Sequence, residues 1–260
     1  MTATVPEHLT PSEAIANLCH PDLSLRYYAA WWLGRFQVRE GLEALLAALG
    51  DEEDRTALGG YPLRRNAARA LGNLGDRRAV PALVEALACT DFYVREAAAV
   101  ALGNLGDPQA VHPLAVRLSG PAGDSVLGTV HLPEPYPAIL AALGNLGDAS
   151  VLPQVYPFAN HSLPRVRYAA WRALFQLTQD LAYMDRLMTS LAQEAVPLQR
   201  VVLADLGATG YLPAAAAIAQ ARAENSFKLM ALRGLVSQRL ASGEDSARLV
   251  PVFDLMDGLL

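Results

Sequence analysis

The chain contains few cysteines and lacks the common sequence patterns of a self-contained catalytic site. Its 260 residues include only Cys19 and Cys89, which do not have the spacing of metal ligands. Two such thiols are typical of a reducing cytosol, and we expect each to be buried and structural rather than a site of thiol adducts. HisGluXaaXaaHis, GlyXaaSerXaaGly, CysXaaXaaCys and a phosphate-binding glycine loop are absent. The sequence therefore indicates no catalytic centre complete within this chain.

Excess positive charge and long apolar runs are also missing. The formal net charge is −5, which disfavours a nucleic-acid-binding surface. Although 52% of the residues are hydrophobic, no apolar run reaches the roughly eighteen residues of a membrane span. Residues 1–11 lack the charged and apolar regions of a secretory signal. We expect a cytoplasmic protein without a membrane span, whose apolar residues form a core shared between helix layers.

One seven-residue sequence occurs three times. AlaLeuGlyAsnLeuGlyAsp occupies residues 70–76, 101–107 and 142–148. It belongs to a unit of about thirty residues, whose leucine before the first glycine we call the anchor. Anchors, including weaker copies, are Leu33, Leu71, Leu102, Leu143, Leu174, Leu206 and Leu235. Such periodicity predicts stacked units, because a single unit cannot bury its own apolar face.

Each unit has the pattern of a helix, a turn and a second helix. Small or apolar residues eight, four and one positions before the anchor share one helix face. The glycine after the anchor and the following GlyAsp predict a helix end and a tight turn, and proline occurs near the start of the next helix. We predict an all-α fold, an α-solenoid of six to seven short repeats. It forms one domain over residues 1–260, with insertions at about 50–62 and 119–137.

The first repeat departs from the others by its aromatic residues. These are Tyr27, Tyr28, Trp31, Trp32 and Phe36. They could plug the open end of the core, or form a flat surface for a planar ligand or a partner helix. Trp31 is the stronger ligand candidate, because equivalent positions in other repeats are polar or variable and therefore face outward.

The first insertion is acidic and precedes a group of arginines. Residues 51–62 lead into Arg64, Arg65 and Arg69 at the start of the next helix. One interpretation is a solvated acidic loop neutralised by these arginines. The other is capture of ligand carboxylates, for which the planar guanidinium provides a bidentate donor.

Two further features carry weaker signals. A basic residue recurs seven positions before the anchor, at Arg26, Arg64, Arg95, Arg167 and Lys228. We expect these cations to pair with acidic groups such as Asp91 or Glu96, while a surface for an anionic ligand is the alternative.

The second insertion, with four prolines between residues 121 and 137, supplies His131, Glu134 and Tyr136 as minor polar candidates.

Several segments resemble the E/F-type phycobilin lyases, a family of HEAT-like repeat proteins. The most specific are Tyr27–Arg35, Asp54–Gly72, which includes GlyGlyTyrProLeuArgArgAsn, and Asp91–Ala98. Residues 164–180, 205–214 and 224–232 add to a resemblance that extends from about residue 22 to residue 235. Within the family, these segments are similar to the E subunit of lyases that act on the α subunit of phycocyanin.

The resemblance implies a cyanobacterial enzyme subunit that works as a heterodimer with a homologous F-type subunit. Together they would bind phycocyanobilin, an open-chain tetrapyrrole, and attach it by a thioether bond to a cysteine of apo-phycocyanin α, or remove or transfer it. Phycocyanobilin is then a substrate, and we expect no tightly bound cofactor and no metal. A cytoplasmic location, with phycobilisome association as an option, follows from the same resemblance.

In this reaction the lyase has to bind and orient the bilin, because the nucleophilic thiol belongs to the acceptor protein. Aromatic side chains suit the tetrapyrrole and arginines suit its two propionates. The expected bilin-binding residues are Tyr27, Trp31, Trp32, Arg64, Arg65, Asn66, Arg69 and Arg95. The candidates for acid assistance are Asp54, Tyr61 and Glu96, among which the sequence does not choose.

Two alternative functions stay open at this stage. The first is the E subunit of the isomerising lyase of phycoerythrocyanin, which rearranges the same bilin during attachment. The second is a non-catalytic scaffold or chaperone that binds apo-phycobiliprotein without binding the bilin.

Overall fold

The computed structural model describes residues 9–119 and 132–260, which form fifteen α-helices and no β-strand within these ranges. The all-α prediction is confirmed for these ranges. Most of the second insertion, including His131, lies outside the described residues. None of the described helices combines the length and apolar character that a bilayer crossing needs. Contacts between Cα atoms divide the chain into two compact units, Met1–Asp148 and Ala149–Leu260, while the single solenoid domain stays a prediction.

The first unit contains eight helices arranged in two layers. They are α1 (Pro11–Asn17), α2 (Leu23–Arg35), α3 (Leu42–Leu49), α4 (Pro62–Leu74), α5 (Val80–Ala86), α6 (Phe92–Leu105), α7 (Val111–Arg117) and α8 (Tyr136–Leu146). In one layer α2, α4, α6 and α8 stack in chain order, while α3, α5 and α7 pack against α4, α6 and α8. The anchor leucines of this unit are buried in the stacked helices, as the apolar periodicity predicts.

Glycine and alanine bring the stacked helices into close contact. A Cβ atom added to Gly34 would lie 2.6 Å from the Cα atom of Ala70, and one added to Gly72 would lie 2.8 Å from that of Ala101. A larger residue would push the two backbones apart, because real Cβ atoms do not approach so closely. The first glycine of the repeated sequence therefore lies inside a helix. The prediction that it marks the helix end is wrong in all three copies, because Gly72, Gly103 and Gly144 lie inside α4, α6 and α8.

The second glycine of the repeated sequence ends the helix. Gly75, Gly106 and Gly147 have left-handed φ angles of 72°, 62° and 73°, directly after α4, α6 and α8. The aspartates that follow the first two, Asp76 and Asp107, accept hydrogen bonds from the N–H groups two residues further on and cap the next short 3-10 turn. The predicted role of GlyAsp as a helix end and tight turn is confirmed.

The second unit contains the remaining seven helices. They are α9 (Leu152–Val155), α10 (Pro164–Thr178), α11 (Leu181–Gln193), α12 (Val196–Gly207), α13 (Ala215–Gln220), α14 (Asn225–Ala241) and α15 (Val250–Asp257). Helix α12 packs between α10 and α14, and α11, α13 and α15 complete the unit. The anchors Leu174, Leu206 and Leu235 are fully buried here. The same helical pattern thus organises the core of both units.

Candidate functional site

The loop before α4 is fixed by the buried carboxylate of Asp54. This residue is 3% exposed. Its Oδ1 atom accepts a hydrogen bond of 2.5 Å from the Tyr27 hydroxyl, and its Oδ2 atom accepts one of 2.6 Å from the N–H group of Leu63. Leu63 lies in the first turn of α4, where N–H groups have no partner within the helix. Asp54 therefore connects α2 to the start of α4, and each of its oxygen atoms accepts a hydrogen bond.

A second aspartate joins the starts of α4 and α6. One carboxylate oxygen of Asp91 accepts a hydrogen bond of 2.8 Å from the N–H group of Tyr93 and caps α6. The other accepts a bond of 2.7 Å from the N–H group of Tyr61, which immediately precedes α4. Two consecutive repeats are thereby held in register at the ends that carry the candidate residues.

Tyr61 and Arg64 are both bound by Glu52 of the acidic insertion. The Tyr61 hydroxyl donates to Glu52 Oε2 at 2.8 Å, and Arg64 Nη1 donates to Glu52 Oε1 at 2.6 Å. The guanidinium of Arg64 also lies 4.8 Å from the centroid of the Tyr61 ring. The hydrogen bond to Glu52, with burial as a second cause, raises the pKa of Tyr61. The phenol therefore stays protonated at neutral pH.

The neighbouring phenol of Tyr27 is also held in its neutral form. Burial, and then the hydrogen bond to Asp54, raises the pKa of Tyr27 to about 12. The positive charges of Arg26 and Arg65 act in the opposite direction. The Tyr27 hydroxyl is thus a fixed donor to Asp54 at neutral pH.

Each nitrogen atom of the Arg95 guanidinium donates a hydrogen bond, and two of these bonds hold the segment that precedes α8. Its Nε atom donates to Glu134 Oε2 at 3.0 Å, and its Nη2 atom donates to the carbonyl oxygen of Pro133 at 2.7 Å. Its Nη1 atom donates to the carbonyl oxygen of Cys89 at 2.8 Å. Glu134 also accepts a hydrogen bond of 3.3 Å from Arg117. The guanidinium therefore links α6 to residues 133 and 134.

The recurring cations of the first unit are paired with acidic side chains. The pairs are Arg26 with Asp51, Arg64 with Glu52, and Arg95 with Glu134. The pairing interpretation is confirmed for these three cations. The suggested partners Asp91 and Glu96 are wrong, because packing brings other carboxylates to the guanidinium groups.

Six candidate and related residues share one side of the stacked helices. Trp31, Arg69 and Val100 lie two positions before their anchors, and Tyr27, Arg65 and Glu96 lie six positions before them. Because each set occupies the same position on α2, α4 and α6, these residues lie on equivalent sides of adjacent helices. We call these six residues, together with Tyr93, the stacked-helix face.

The stacked-helix face exposes aromatic surface beside arginine. Trp31 is 52% exposed and Tyr93 is 56% exposed, although both are large aromatic residues. The Arg65 guanidinium lies 5.9 Å from the Tyr93 ring centroid, and the Trp31 and Tyr28 ring centroids are 5.5 Å apart. The interpretation of Trp31 as a plug of the core is wrong, since half of its surface is exposed. Its predicted outward position is confirmed.

The other candidate residues lie around this face. Trp32 is half-buried, with its ring centroid 4.9 Å from that of Phe36. Asn66 is half-buried near the start of α4. The structure brings Asp54 to Tyr27 and Tyr61 to Arg64, whereas Arg95 is held apart by Glu134.

Sequence reasoning missed several contributors and misjudged one thiol. Glu52, Asp91 and Tyr93 were not among the candidates for the site, although Glu52 lies in the conspicuous acidic insertion. Cys89 is buried as expected, but Cys19 is exposed, so the expectation of a buried thiol is wrong there. Within residues 9–119 and 132–260, no group of three or more His, Cys, Asp or Glu side chains is arranged so that it could hold a metal ion.

Comparisons with known proteins agree with this architecture. Residues 25–51 match the family described as PBS lyase HEAT-like repeat, and residues 61–129 match the family of HEAT repeats. Phycocyanobilin lyase subunit alpha of Nostoc sp. is 53% identical to this chain over 97% of the chain and 94% of its own length. A protein of Mastigocladus laminosus named bilin biosynthesis protein PecE is 44% identical over 92% of this chain and 85% of its own length.

A solved structure extends the similarity to the fold. In the complex of CpcE and CpcF of phycocyanin lyase from Nostoc sp., one chain has 52% sequence identity and a TM-score of 0.87. The match covers 100% of this chain and 98% of that chain. The predicted α-solenoid of HEAT-like repeats is confirmed. The chain belongs to the family of phycocyanobilin lyase α subunits.

Proposed function

We propose that this chain is one subunit of a heterodimeric lyase that attaches phycocyanobilin to a cysteine of the phycocyanin α subunit. Similarity along nearly the whole chain to a phycocyanobilin lyase α subunit carries the proposal. The homologous F-type subunit is the expected partner, because the similar solved chain belongs to a complex of CpcE and CpcF. Phycocyanobilin is a substrate in this reaction rather than a resident cofactor.

The proposed reaction adds a thiol to a carbon–carbon double bond. The S–H bond of the acceptor cysteine breaks as its sulfur bonds to one carbon of the exocyclic double bond of the bilin, and the conjugated system gains one proton, which balances the proton lost from the thiol. No oxidant or reductant is needed, and reversal of the same steps detaches the bilin. The lyase contributes by holding the bilin and the acceptor thiol in a reactive orientation.

The stacked-helix face is the proposed place of bilin contact. Trp31 and Tyr93 offer exposed rings for a flat conjugated ligand. A different cavity of about 540 Å³, lined by residues that include Cys19, Asp51, Glu52 and Glu53, is a poor match. Arg26 also lines this cavity but is already paired with Asp51, so the acidic side chains would repel the carboxylates of a bilin.

Among the three candidates for acid assistance, Glu96 is the best placed. Asp54 is buried and accepts hydrogen bonds through both oxygen atoms, and the Tyr61 hydroxyl is bound to Glu52. Glu96 is partly exposed on the stacked-helix face, and no hydrogen bond of its side chain occurs in the described part of the chain. We assign Glu96 the role of transferring a proton from the acceptor thiol to the bilin, with Asp54 as a positioning residue for Tyr27 and α4.

Two neighbouring functions receive less support. The isomerising lyase is a less specific interpretation, because the relative named PecE is 44% identical whereas the phycocyanobilin lyase subunit is 53% identical. A non-catalytic chaperone would bind apo-phycocyanin α without accelerating bilin attachment. The proposed enzyme acts in the cyanobacterial cytoplasm, where phycobilisome proteins are supplied with their bilins.

Co-expression tests the proposal directly. The chain is produced with an F-type partner, phycocyanobilin and apo-phycocyanin α, and the covalent adduct is detected by zinc-enhanced fluorescence on a denaturing gel. Each lyase chain is omitted in turn. We expect an adduct that absorbs like native phycocyanin only when both chains are present. A violet-shifted adduct would favour the isomerising lyase, and acceptor binding without any increase over spontaneous attachment would favour the chaperone.

A further inference from the structure

Two arginines of the stacked-helix face differ from the other candidate arginines in having no carboxylate partner. Arg64 is paired with Glu52, and Arg95 is paired with Glu134. By contrast, no ion pair of Arg65 or Arg69 occurs among residues 9–119 and 132–260. The Nε atoms of Arg64 and Arg65 are both buried without a hydrogen-bond partner within those ranges, so the two residues differ in the carboxylate that Arg64 has and Arg65 lacks. The guanidinium groups of Arg65 and Arg69 are therefore available to an anion.

The spacing of these arginines concentrates positive charge on one side of α4. Arg65 and Arg69 are four positions apart in a helix, so their side chains leave the same face about 6 Å apart. Like charges at this spacing destabilise an isolated helix slightly. Here no ion pair offsets the repulsion within the described ranges, and the charges lie between helices that carry exposed aromatic rings.

The rings flank the arginines on both sides. Trp31 lies on α2, the helix before α4 in the stack, at the position equivalent to that of Arg69. Tyr93 lies on α6, the helix after α4, with its ring 5.9 Å from the Arg65 guanidinium. A ligand that suits this arrangement is flat, conjugated and carries two neighbouring anionic groups.

We propose that Arg65 and Arg69 bind the two propionate carboxylates of the bilin, while Arg64 and Arg95 position helices and do not contact it. The inference rests on the proposed function, because that function supplies the bilin as the ligand. It divides four arginines that look equivalent in sequence into two that bind ligand and two that hold the scaffold. Esterification of both propionates should remove the interaction and leave the tetrapyrrole unchanged.

A binding experiment with two forms of the bilin tests this division. The chain in complex with its F-type partner is titrated with phycocyanobilin and with its dimethyl ester, and both dissociation constants are obtained from the bilin absorbance. The variants are Arg65→Ala, Arg65→Gln, Arg65→Lys and Arg69→Ala. Arg78→Ala is the matched control, because Arg78 is an exposed arginine of the first unit that pairs with Asp76. Circular dichroism and thermal unfolding check that each variant is folded.

We expect the unmodified complex to bind the diacid about tenfold or more tightly than the diester, as for a lost charge-assisted hydrogen bond. Arg65→Ala, Arg65→Gln and Arg69→Ala should abolish most of this preference, and Arg65→Lys should retain only part, because an ammonium group cannot form the bidentate contact. Arg78→Ala should retain all of it. Because Arg65→Gln keeps most of the side-chain stem, it tests the charge even where alanine disturbs packing.

The failure of this inference differs from the failure of the proposed function. Equal affinity for the diacid and the diester, or an undiminished preference in folded Arg65 and Arg69 variants, would overturn the inference while bilin binding stands. A complex that binds neither form would overturn both. If Arg78→Ala also lost the preference for the diacid over the diester, that preference would arise from the overall charge of the protein. This result would likewise contradict the assignment of Arg65 and Arg69.

Discussion

The hydroxyl of Tyr27 donates a hydrogen bond of 2.5 Å to the buried carboxylate of Asp54. These two residues lie in different repeats of the sequence, and the second oxygen of Asp54 continues the connection to the N–H group of Leu63. The bond therefore fixes the start of α4 relative to α2.

Replacement of Asp54 by alanine should destabilise the first unit. The Tyr27 hydroxyl and the Leu63 N–H group would lose their acceptor, and an unsatisfied buried donor costs about 1–3 kcal/mol. Chemical denaturation should show this loss in the free energy of unfolding. Asp54→Asn should cost less, because the amide oxygen can accept from Leu63 and the amide nitrogen can donate to Tyr27. Unchanged stability of Asp54→Ala would contradict the role of this carboxylate.

The same pair predicts a change in the titration of Tyr27. Its pKa of about 12 in the folded protein should fall in folded Asp54→Asn, because the hydrogen bond to a carboxylate and its negative charge are both lost. Burial remains, so the pKa should stay above the ordinary value of 10. Because its folded-state pKa is raised, the stability that Tyr27 contributes is complete below about pH 10 and is lost as pH rises through about 12.

Ultraviolet absorbance measures this titration, with Tyr27→Phe as the reference that identifies one tyrosine among nine. The difference between each protein and its Tyr27→Phe counterpart gives the phenol of interest. A Tyr27 titration that is the same in the unsubstituted protein and in Asp54→Asn would contradict the coupling.

Replacement of Gly72 by alanine should destabilise the contact between α4 and α6. The added Cβ atom would lie 2.8 Å from the Cα atom of Ala101, and such overpacking costs about 1–3 kcal/mol. Asn73→Ala is the control, since residue 73 is the next position of the same helix and is exposed. Thermal unfolding should show a lower midpoint for Gly72→Ala only. Equal midpoints would mean that the stacked helices can separate without cost.

Replacement of Trp31 by alanine should impair bilin transfer more than stability. The side chain is 52% exposed, so its removal should cost far less than the roughly 3–5 kcal/mol of a buried tryptophan. Tyr156→Ala is the control, because Tyr156 is a 47% exposed aromatic residue of the second unit and is not among the candidate bilin-binding residues. The yield of covalent adduct and the unfolding midpoint are measured together. Loss of stability with normal transfer per folded protein would exclude a ligand role.

Replacement of Glu96 by glutamine should slow bilin attachment without weakening bilin binding. Glutamine keeps the size of the side chain but cannot take up and release a proton, and loss of a general acid–base group reduces rates by about 10²–10⁴-fold. Single-turnover attachment rates and the dissociation constant for phycocyanobilin separate the two effects. Glu85→Gln, an exposed change on α5, should alter neither. A normal rate in Glu96→Gln would assign the proton to another group.

Much of the fold could be predicted from the sequence because the relevant signals are local. The period of the anchor leucines, the buried positions one and four residues before them, and the GlyAsp turn all act within one helix or its end. Gly72 shows the limit of this reasoning. Gly75 must be glycine for a local reason, because its backbone has a left-handed φ angle at the end of α4. Gly72 must be glycine for a tertiary reason, because Ala101 of α6 lies where a Cβ atom would be.

The candidate site was harder to predict, because it depends on contacts between residues that are far apart in sequence. Trp31 could be placed outward from its position in the repeat, because the helical period alone decides that side. The roles of the arginines could not be separated in this way. Arg64 and Arg65 are adjacent in sequence, yet one is bound by Glu52 from the preceding loop and the other faces Tyr93 from the next helix.

The sequence by itself determined the repeated helical architecture and the residues that form its core. This was possible because the apolar periodicity and the helix-ending glycines are signals carried by residues close together along the chain. Only the tertiary structure decided which charged groups neutralise one another and which stay available for a ligand. Pairing such as that of Arg95 with Glu134 joins residues far apart in sequence, and it depends on how whole helices pack rather than on any local pattern.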